Sequence, residues 1–203
     1  MLKSEDIVYA CTCDFAGKVR GKGFPAADME KRLKRGIGWA PTNTQITCFD
    51  AIAPSPFGAL GDRVLIPDAA TRVTLRAPEM GLSEDFVLGD LYTTDGQPWA
   101  LCPRSILKAA LARLKRVAGL SLVASFEHEF QFRGAGMGRG TAYTLQAFRP
   151  NRVFAERLMG AMREAGLEPD TIMKEYGVDQ FEVTMDPAQG VTAADHSVIL
   201  RQL

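Results

Sequence analysis

Lys174–Val183 reads Lys-Glu-Tyr-Gly-Val-Asp-Gln-Phe-Glu-Val, and the behaviour of this stretch decides what the rest of the chain can be. In one continuous strand Glu175 and Glu182 would project from opposite faces, because side chains alternate. Gly177 and Asp179 are turn formers placed between them. If the chain turns there, both carboxylates can face one centre from adjacent strands. The plain alternative is a pair of solvated glutamates flanking a turn.

A second acidic pair lies upstream in Ser125–Phe132 (SFEHEFQF). Glu127 and Glu129 would share one strand face, about 7 Å apart, with Phe126, His128 and Phe130 on the other. Such a pair repels itself unless it is solvated, protonated or shared with cations. A wet strand face explains an isolated pair of this kind. The apolar setting, Leu120–Phe126 before and Phe130 and Phe132 after, instead predicts a strand buried on both faces, where unpaired glutamates are costly. Four converging carboxylates would suit the hard cations Mg²⁺ or Mn²⁺. His128 alternates away from the glutamates and is expected to be packed or hydrogen-bonded rather than a ligand. Gln180, between the second pair, reads as an orienting hydrogen-bond partner or as a framework amide.

Further from these pairs, the pattern predicts an α+β chain. Ile7–Cys13, Gln45–Ala53, Arg63–Ile66, Arg72–Leu75 and Phe86–Tyr92 read as strands, with turn formers over Asp14–Gly23 and at Asp95–Gly96. Ala27–Arg35 is a charged helix that Gly36 and Gly38 can end. After Pro103 the period changes. Ser105–Val117 sets Ile106, Leu107, Ala110, Leu111 and Leu114 on one helical face, with Pro103 at its start and Gly119 at its close. Leu120–Phe132 and Thr141–Phe148 read as strands, Val153–Ala165 as a helix ended by Gly166, Thr171–Met185 as strand interrupted at Gly177, and Ala193–Leu203 as a last helix. The glycine-rich Arg133–Gly140 lacks the Gly-Lys-Ser/Thr ending of a phosphate loop and reads as a hairpin connection. Two domains are expected, 1–100 rich in strand and 101–203 mixing helix and strand, with a soft boundary around Trp99–Pro103.

Composition narrows the function. The chain has 203 residues, 46% hydrophobic and 24% charged, with 24 basic and 24 acidic side chains. That balance offers no excess positive field for nucleic acid. No apolar run approaches a bilayer span and the amino terminus has no signal pattern, so a cytoplasmic setting without a membrane partner is expected. Cys11, Cys13, Cys48 and Cys102 have no second Cys or His cluster beside them, and they read as ordinary reduced cysteines rather than a zinc site.

Pro103–Leu107 (PRSIL), Glu127–Phe130 (EHEF), Glu175–Val183 (EYGVDQFEV) and Thr192–Asp195 (TAAD) occur in an order and spacing that resemble the glutamine synthetase family. Gly36–Gly38 (GIG), the Pro67–Asp68 step and Phe86–Trp99 extend the resemblance over nearly the whole chain. It implies a β-grasp amino-terminal domain, then the start of a catalytic domain with a curved antiparallel sheet. It also implies ATP-dependent phosphorylation of the γ-carboxylate of glutamate, followed by displacement of phosphate by ammonia or another amine. Glu129, Glu175 and Glu182 would then hold the metal beside glutamate, and Glu127 the metal that bridges the nucleotide phosphates. Family members assemble into rings, so a ring-forming homo-oligomer is the expected assembly of the complete protein.

Two departures stand out. Ala40, in Gly36–Thr42 (GIGWAPT), occupies the place of an aspartate that helps ammonia-using members bind ammonium. An alanine neither stabilises a cation nor accepts its proton, which leaves the acceptor open between ammonia and a larger amine. The resemblance also implies a catalytic domain that runs on well past Leu203, so the chain is expected to be either a fragment of a longer ligase or a truncated, non-catalytic interaction subunit. A carboxylate-metal hydrolase is the remaining class, disfavoured by the ordered motifs.

Overall fold

The structure is a computed structural model, and it describes residues 4–77, 82–134, 136 and 138–203. The chain forms two compact units, Met1–Ser121 and Leu122–Leu203.

In the first unit, β1 (Ile7–Cys13) and β2 (Val19–Pro25) form an antiparallel hairpin, so Asp14–Gly23 is a turn only at its beginning. Asp14 closes that turn by accepting from the amides of Ala16 and Lys18, each at 2.9 Å. The charged helix forms as α1 (Met29–Arg35). It stops at Gly36, whose φ of 67° places a Cβ against Val64 and Ile66 in any other residue. β3 (Ile37–Trp39), β4 (Arg63–Pro67), β5 (Val73–Ala77) and β6 (Leu82–Thr93) complete a sheet ordered β2-β1-β6-β4-β3, with β5 also on β6. β1 and β6 run parallel at its centre, and the other pairings are antiparallel. Val8, Ala10, Leu65, Val87, Leu91, Trp39 and Trp99 fill the core beneath it.

α2 (Pro103–Ala118) begins on proline and ends at a left-handed Gly119, as the sequence implies. None of its residues is fully buried. Arg104 and Lys108 tie it to the sheet, Arg104 reaching Asp90 at 2.8 Å and Asp68 at 2.7 Å, and Lys108 reaching Asp90 at 2.5 Å. Burial alone would raise the Asp68 carboxyl, but the Arg104 hydrogen bond and charge hold it below the usual range.

Gln45–Ala53 is not a strand. Only an isolated bridge joins Ile46 to Ile52. Between them the Thr47 hydroxyl accepts from the amides of Phe49 and Ala51, and Asp50 adopts φ 60°. These local bonds satisfy the backbone in place of a ladder.

In the second unit, Leu120–Phe132 divides into β7 (Val123–Ala124) and β8 (His128–Gln131). Among the described residues β7 pairs with β11 (Ala188–Gln189) alone. β8 joins β10 (Gln180–Met185) and β9 (Pro169–Lys174) in an antiparallel sheet ordered β8-β10-β9. The expected burial on both faces is not met, because among the described residues β8 is an edge strand with one neighbour and Glu127 and Glu129 are exposed.

Thr141–Phe148 is turn followed by α3 (Leu145–Phe148), not strand. The Thr144 hydroxyl accepts from the amide of Ala147 at 3.2 Å and caps that turn. Residues 135 and 137 of the glycine-rich connection lie outside the described residues, and the segment after it is not a strand that β8 could pair with. α4 (Arg152–Glu164) and α5 (Gly190–Leu200) form near their expected limits. Phe154 of α4 packs with Phe130 and Phe132, ring centroids 5.8 Å and 4.8 Å away, and both of those rings pack with Phe181. One face of the β8-β10-β9 sheet is thus an aromatic core. The mixed α+β architecture with an antiparallel sheet in the second unit is the one expected from the sequence.

Candidate functional site

The opposite face of that sheet carries the glutamates. Phe181, Val183 and Met185 of β10 are buried and alternate with half-buried Gln180, Glu182 and Thr184. The register sets Glu182 directly opposite Glu129 and Gln180 opposite Gln131. The two acidic motifs, over fifty positions apart by their numbers, therefore meet as cross-strand neighbours.

The β9–β10 connection turns as Gly177 and Asp179 imply. Asp179 has φ 53°, and the Gln180 amide N–H donates to the Gly177 carbonyl at 3.3 Å. Glu175 follows β9, and its amide donates to the Gln180 carbonyl at 2.9 Å. A Cβ at Gly177 would displace the Gln180 side chain from the loop. Beneath the loop, buried Lys174 donates from Nζ to the carbonyls of Glu175 at 2.5 Å and Gly177 at 2.6 Å. These bonds satisfy an ammonium that would otherwise be costly to bury.

Gln180 plays both of the roles that the sequence left open. Its Oε1 accepts from the Gly177 amide at 2.7 Å, fixing the loop, and its Nε2 donates to Glu129 Oε2. His128 is away from the carboxylates as expected, with Nε2 3.1 Å from the Ser197 hydroxyl and 3.2 Å from the Ser197 carbonyl. A cavity of about 530 Å³ opens along β8, lined by Glu127, Glu129, Phe130, Phe154, Leu158 and Leu203 among others.

The four glutamates are coupled by mutual repulsion. The Glu182 carboxyl is raised above its ordinary value by burial first, then by the charges of Glu127, Glu175 and Glu129 and a hydrogen bond with Glu175. Yet among the described residues no three His, Cys, Asp or Glu side chains are gathered as a coordinating set. The carboxylates influence one another, while Glu129 and Glu175 are each engaged by a protein donor. An all-oxygen donor set short of positive charge fits a hard divalent cation, which would replace those donors.

Tyr143 is the residue that the sequence did not reveal. Its hydroxyl donates to Glu175 Oε1 at 2.6 Å, and the Tyr176 amide donates to Oε2 at 3.2 Å. The hydrogen bond to Glu175, then burial and neighbouring charge, push the Tyr143 phenol up to about 12. Tyr143 has φ 57°, a left-handed backbone rare for an aromatic residue. Its segment carries a strand-like composition, and nothing in it signals a partner at Glu175.

Residues 2–99 match the glutamine synthetase N-terminal domain, and residues 100–203 match the glutamine synthetase catalytic domain. The chain belongs to the glutamine synthetase family. Type-1 glutamine synthetase 1 of Dictyostelium discoideum is 28% identical, over 96% of this chain and 44% of that protein. Gamma-glutamylpolyamine synthetase GlnA3 of Streptomyces coelicolor is 29% identical, over 93% of this chain and 42% of its own. A crystal structure described as a novel glutamine synthase homolog superposes with a TM-score of 0.90 and 42% identity, covering all of this chain and 48% of that one. The chain spans about half the length of these relatives. The family domains meet between residues 99 and 100, whereas the compact units divide after Ser121, because α2 is bound to the first sheet through Asp90 and Asp68.

Proposed function

We propose that this chain is part of an ATP-dependent ligase that phosphorylates the γ-carboxylate of glutamate and transfers the γ-glutamyl group to an amine. The observation that carries the reading is the cross-strand placement of Glu129 against Glu182, with Glu127 and Glu175 close enough to raise the Glu182 carboxyl. Glu129, Glu175 and Glu182 would hold one Mg²⁺ or Mn²⁺, and Glu127 would contribute to a second. Bound there, the cations would supply the positive charge that phosphoryl transfer from ATP to a carboxylate requires. The chain's own side chains prepare that place. Gln180 orients Glu129 while fixing the loop through Gly177, and Tyr143 orients Glu175.

Ala40 directly follows β3 and supplies no charge, which favours an amine larger than ammonia as the acceptor. The parallel β1–β6 pair between antiparallel neighbours supports a β-grasp first domain within 1–100, with 101–203 opening the catalytic domain. Phe49 and Leu60, 88% and 86% exposed on the loop before β4, support burial against further subunits in a homo-oligomeric ring. Cys11, Cys48 and Cys102, outside any disulfide among the described residues, are in keeping with a reducing, cytoplasmic setting. Among the described residues no helix is long and apolar enough to cross a membrane.

The test is ADP release by the full-length protein with ATP, glutamate and Mg²⁺ in the presence and absence of an amine. Release that requires both glutamate and an amine is expected. Glutamate-independent hydrolysis would remove the ligase reading.

A further inference from the structure

Lys174 is 2% exposed, although a lysine ammonium is among the groups least often buried. It stands opposite Phe181 in the β9–β10 register, on the face where the aromatic core lies. A methionine of similar length would fill that place without the cost of taking a charge out of water. Nζ instead grips the backbone, donating to the carbonyls of Glu175 at 2.5 Å and Gly177 at 2.6 Å. Both bonds are charge-assisted, about twice as strong as those between neutral groups. The ammonium therefore acts on the shape of the loop after β9, and not on packing alone.

Gly177 passes that constraint on. Its carbonyl also accepts from the Gln180 amide at 3.3 Å, and its own amide donates to Gln180 Oε1 at 2.7 Å. Gln180 Nε2 then donates to Glu129 Oε2 on β8. A run of hydrogen bonds thus leads from Lys174 through Gly177 and Gln180 to Glu129, while the other bond of Lys174 fixes the Glu175 backbone. The two carboxylates reached in this way belong to different acidic motifs. Without a cation both repel Glu182, so an unclamped loop would relax by moving them away from it.

We infer that Lys174 is a positioning residue for the cation site, its buried ammonium setting Glu175 through the backbone and Glu129 through Gly177 and Gln180. This inference rests on the cation reading of the glutamates and adds to it a residue that touches neither cation nor substrate. Carboxylates placed beforehand lose less freedom when a cation binds, so the groups behind them govern affinity. A lysine that only closed the loop would govern the stability of the hairpin and leave the affinity of the folded protein as it was.

The experiment is Mn²⁺ binding to the full-length protein without nucleotide or glutamate, with free Mn²⁺ read by electron paramagnetic resonance. Lys174→Met should raise the dissociation constant about tenfold or more. In EDTA, amide exchange at Gly177 should quicken in that variant while Val183 of β10 keeps its native rate. Gln180→Met cuts the same run of bonds from the half-buried face and should also weaken binding about tenfold. Because Gln180 lies between Lys174 and Glu129, the double variant should bind within about twofold of Lys174→Met alone. If Lys174→Met does not fold, Lys174→Gln takes its place with the same expectations. Native affinity in either folded single variant overturns the inference, as do multiplying losses in the double variant or exchange that quickens at Gly177 and Val183 alike. Each of these results leaves the cation and ligase readings intact. Absence of Mn²⁺ binding by the native protein overturns the cation reading together with the inference.

Discussion

Replacing Glu182 by Gln separates the two things that the glutamate cluster does. Without a cation, Glu182 opposes Glu129 across the β8–β10 ladder and also feels Glu127 and Glu175. Like charges directly opposite on a sheet cost about 0.5–1 kcal/mol, and two further carboxylates bring the relief expected from Glu182→Gln to about 1 kcal/mol. Glutamine keeps the volume and the hydrogen-bonding capacity, so packing against Met173 on β9 is not disturbed. With a divalent cation at ten times its dissociation constant, the native protein gains about 1.4 kcal/mol that the variant largely forfeits. Amide hydrogen exchange at Val183 and Met185 reads both effects in the unit concerned. In EDTA these amides should exchange about fivefold more slowly in Glu182→Gln than in the native protein, the rate equivalent of about 1 kcal/mol. In Mn²⁺ the order should reverse. Faster exchange of the variant in EDTA, or an equal response of both proteins to Mn²⁺, would refute the reasoning.

Three other outcomes follow from the same structure. Phe181→Ala removes a wholly buried ring stacked on Phe130 and packed against Phe132, and should cost about 3–4 kcal/mol in urea unfolding followed by far-ultraviolet circular dichroism. Asp90→Ala takes a buried carboxylate from Arg104 and Lys108 and should destabilise the first unit by about 3 kcal/mol, read from Trp39 and Trp99 fluorescence. Burial holds His196 below its ordinary value, partly opposed by Asp195, so the unfolded chain takes up its proton first as pH falls. Stability should therefore be full above about pH 6.5 and decline as pH drops through the unfolded and then the folded value, and His196→Gln should remove that part of the slope in a pH series of urea melts.

What could be read from the sequence was whatever depends on local signals. α2 starts at Pro103 and stops at Gly119, α1 stops at Gly36, and the β9–β10 hairpin turns at Gly177 and Asp179, each a residue whose backbone chemistry is decisive by itself. That hairpin brings Glu175 towards Glu182 as its turn formers imply, whereas Glu129 meets Glu182 through the β8–β10 pairing, which local spacing does not encode. Segments 45–53 and 141–148 carry strand-like composition, but Thr47, Asp50 and Thr144 divert their hydrogen bonds into turns. The expected burial of Glu127 and Glu129 was wrong for a different reason. Apolar flanks describe a preference for burial, whereas actual burial requires a neighbour on each side, and β8 has one. The Tyr143–Glu175 bond joins residues from separate turns, and single-sequence spacing carries no trace of such a contact.

In the proposed reaction glutamate is activated as an acyl phosphate at a site built around these carboxylates. Glutamate labelled with oxygen-18 in its γ-carboxylate, turned over by the full-length protein with ATP, Mg²⁺ and an alkylamine, tests that claim directly. The phosphate released should carry one labelled oxygen for each γ-glutamyl amide formed, and Glu129→Ala should abolish both products together. Unlabelled phosphate accompanying amide formation would contradict it.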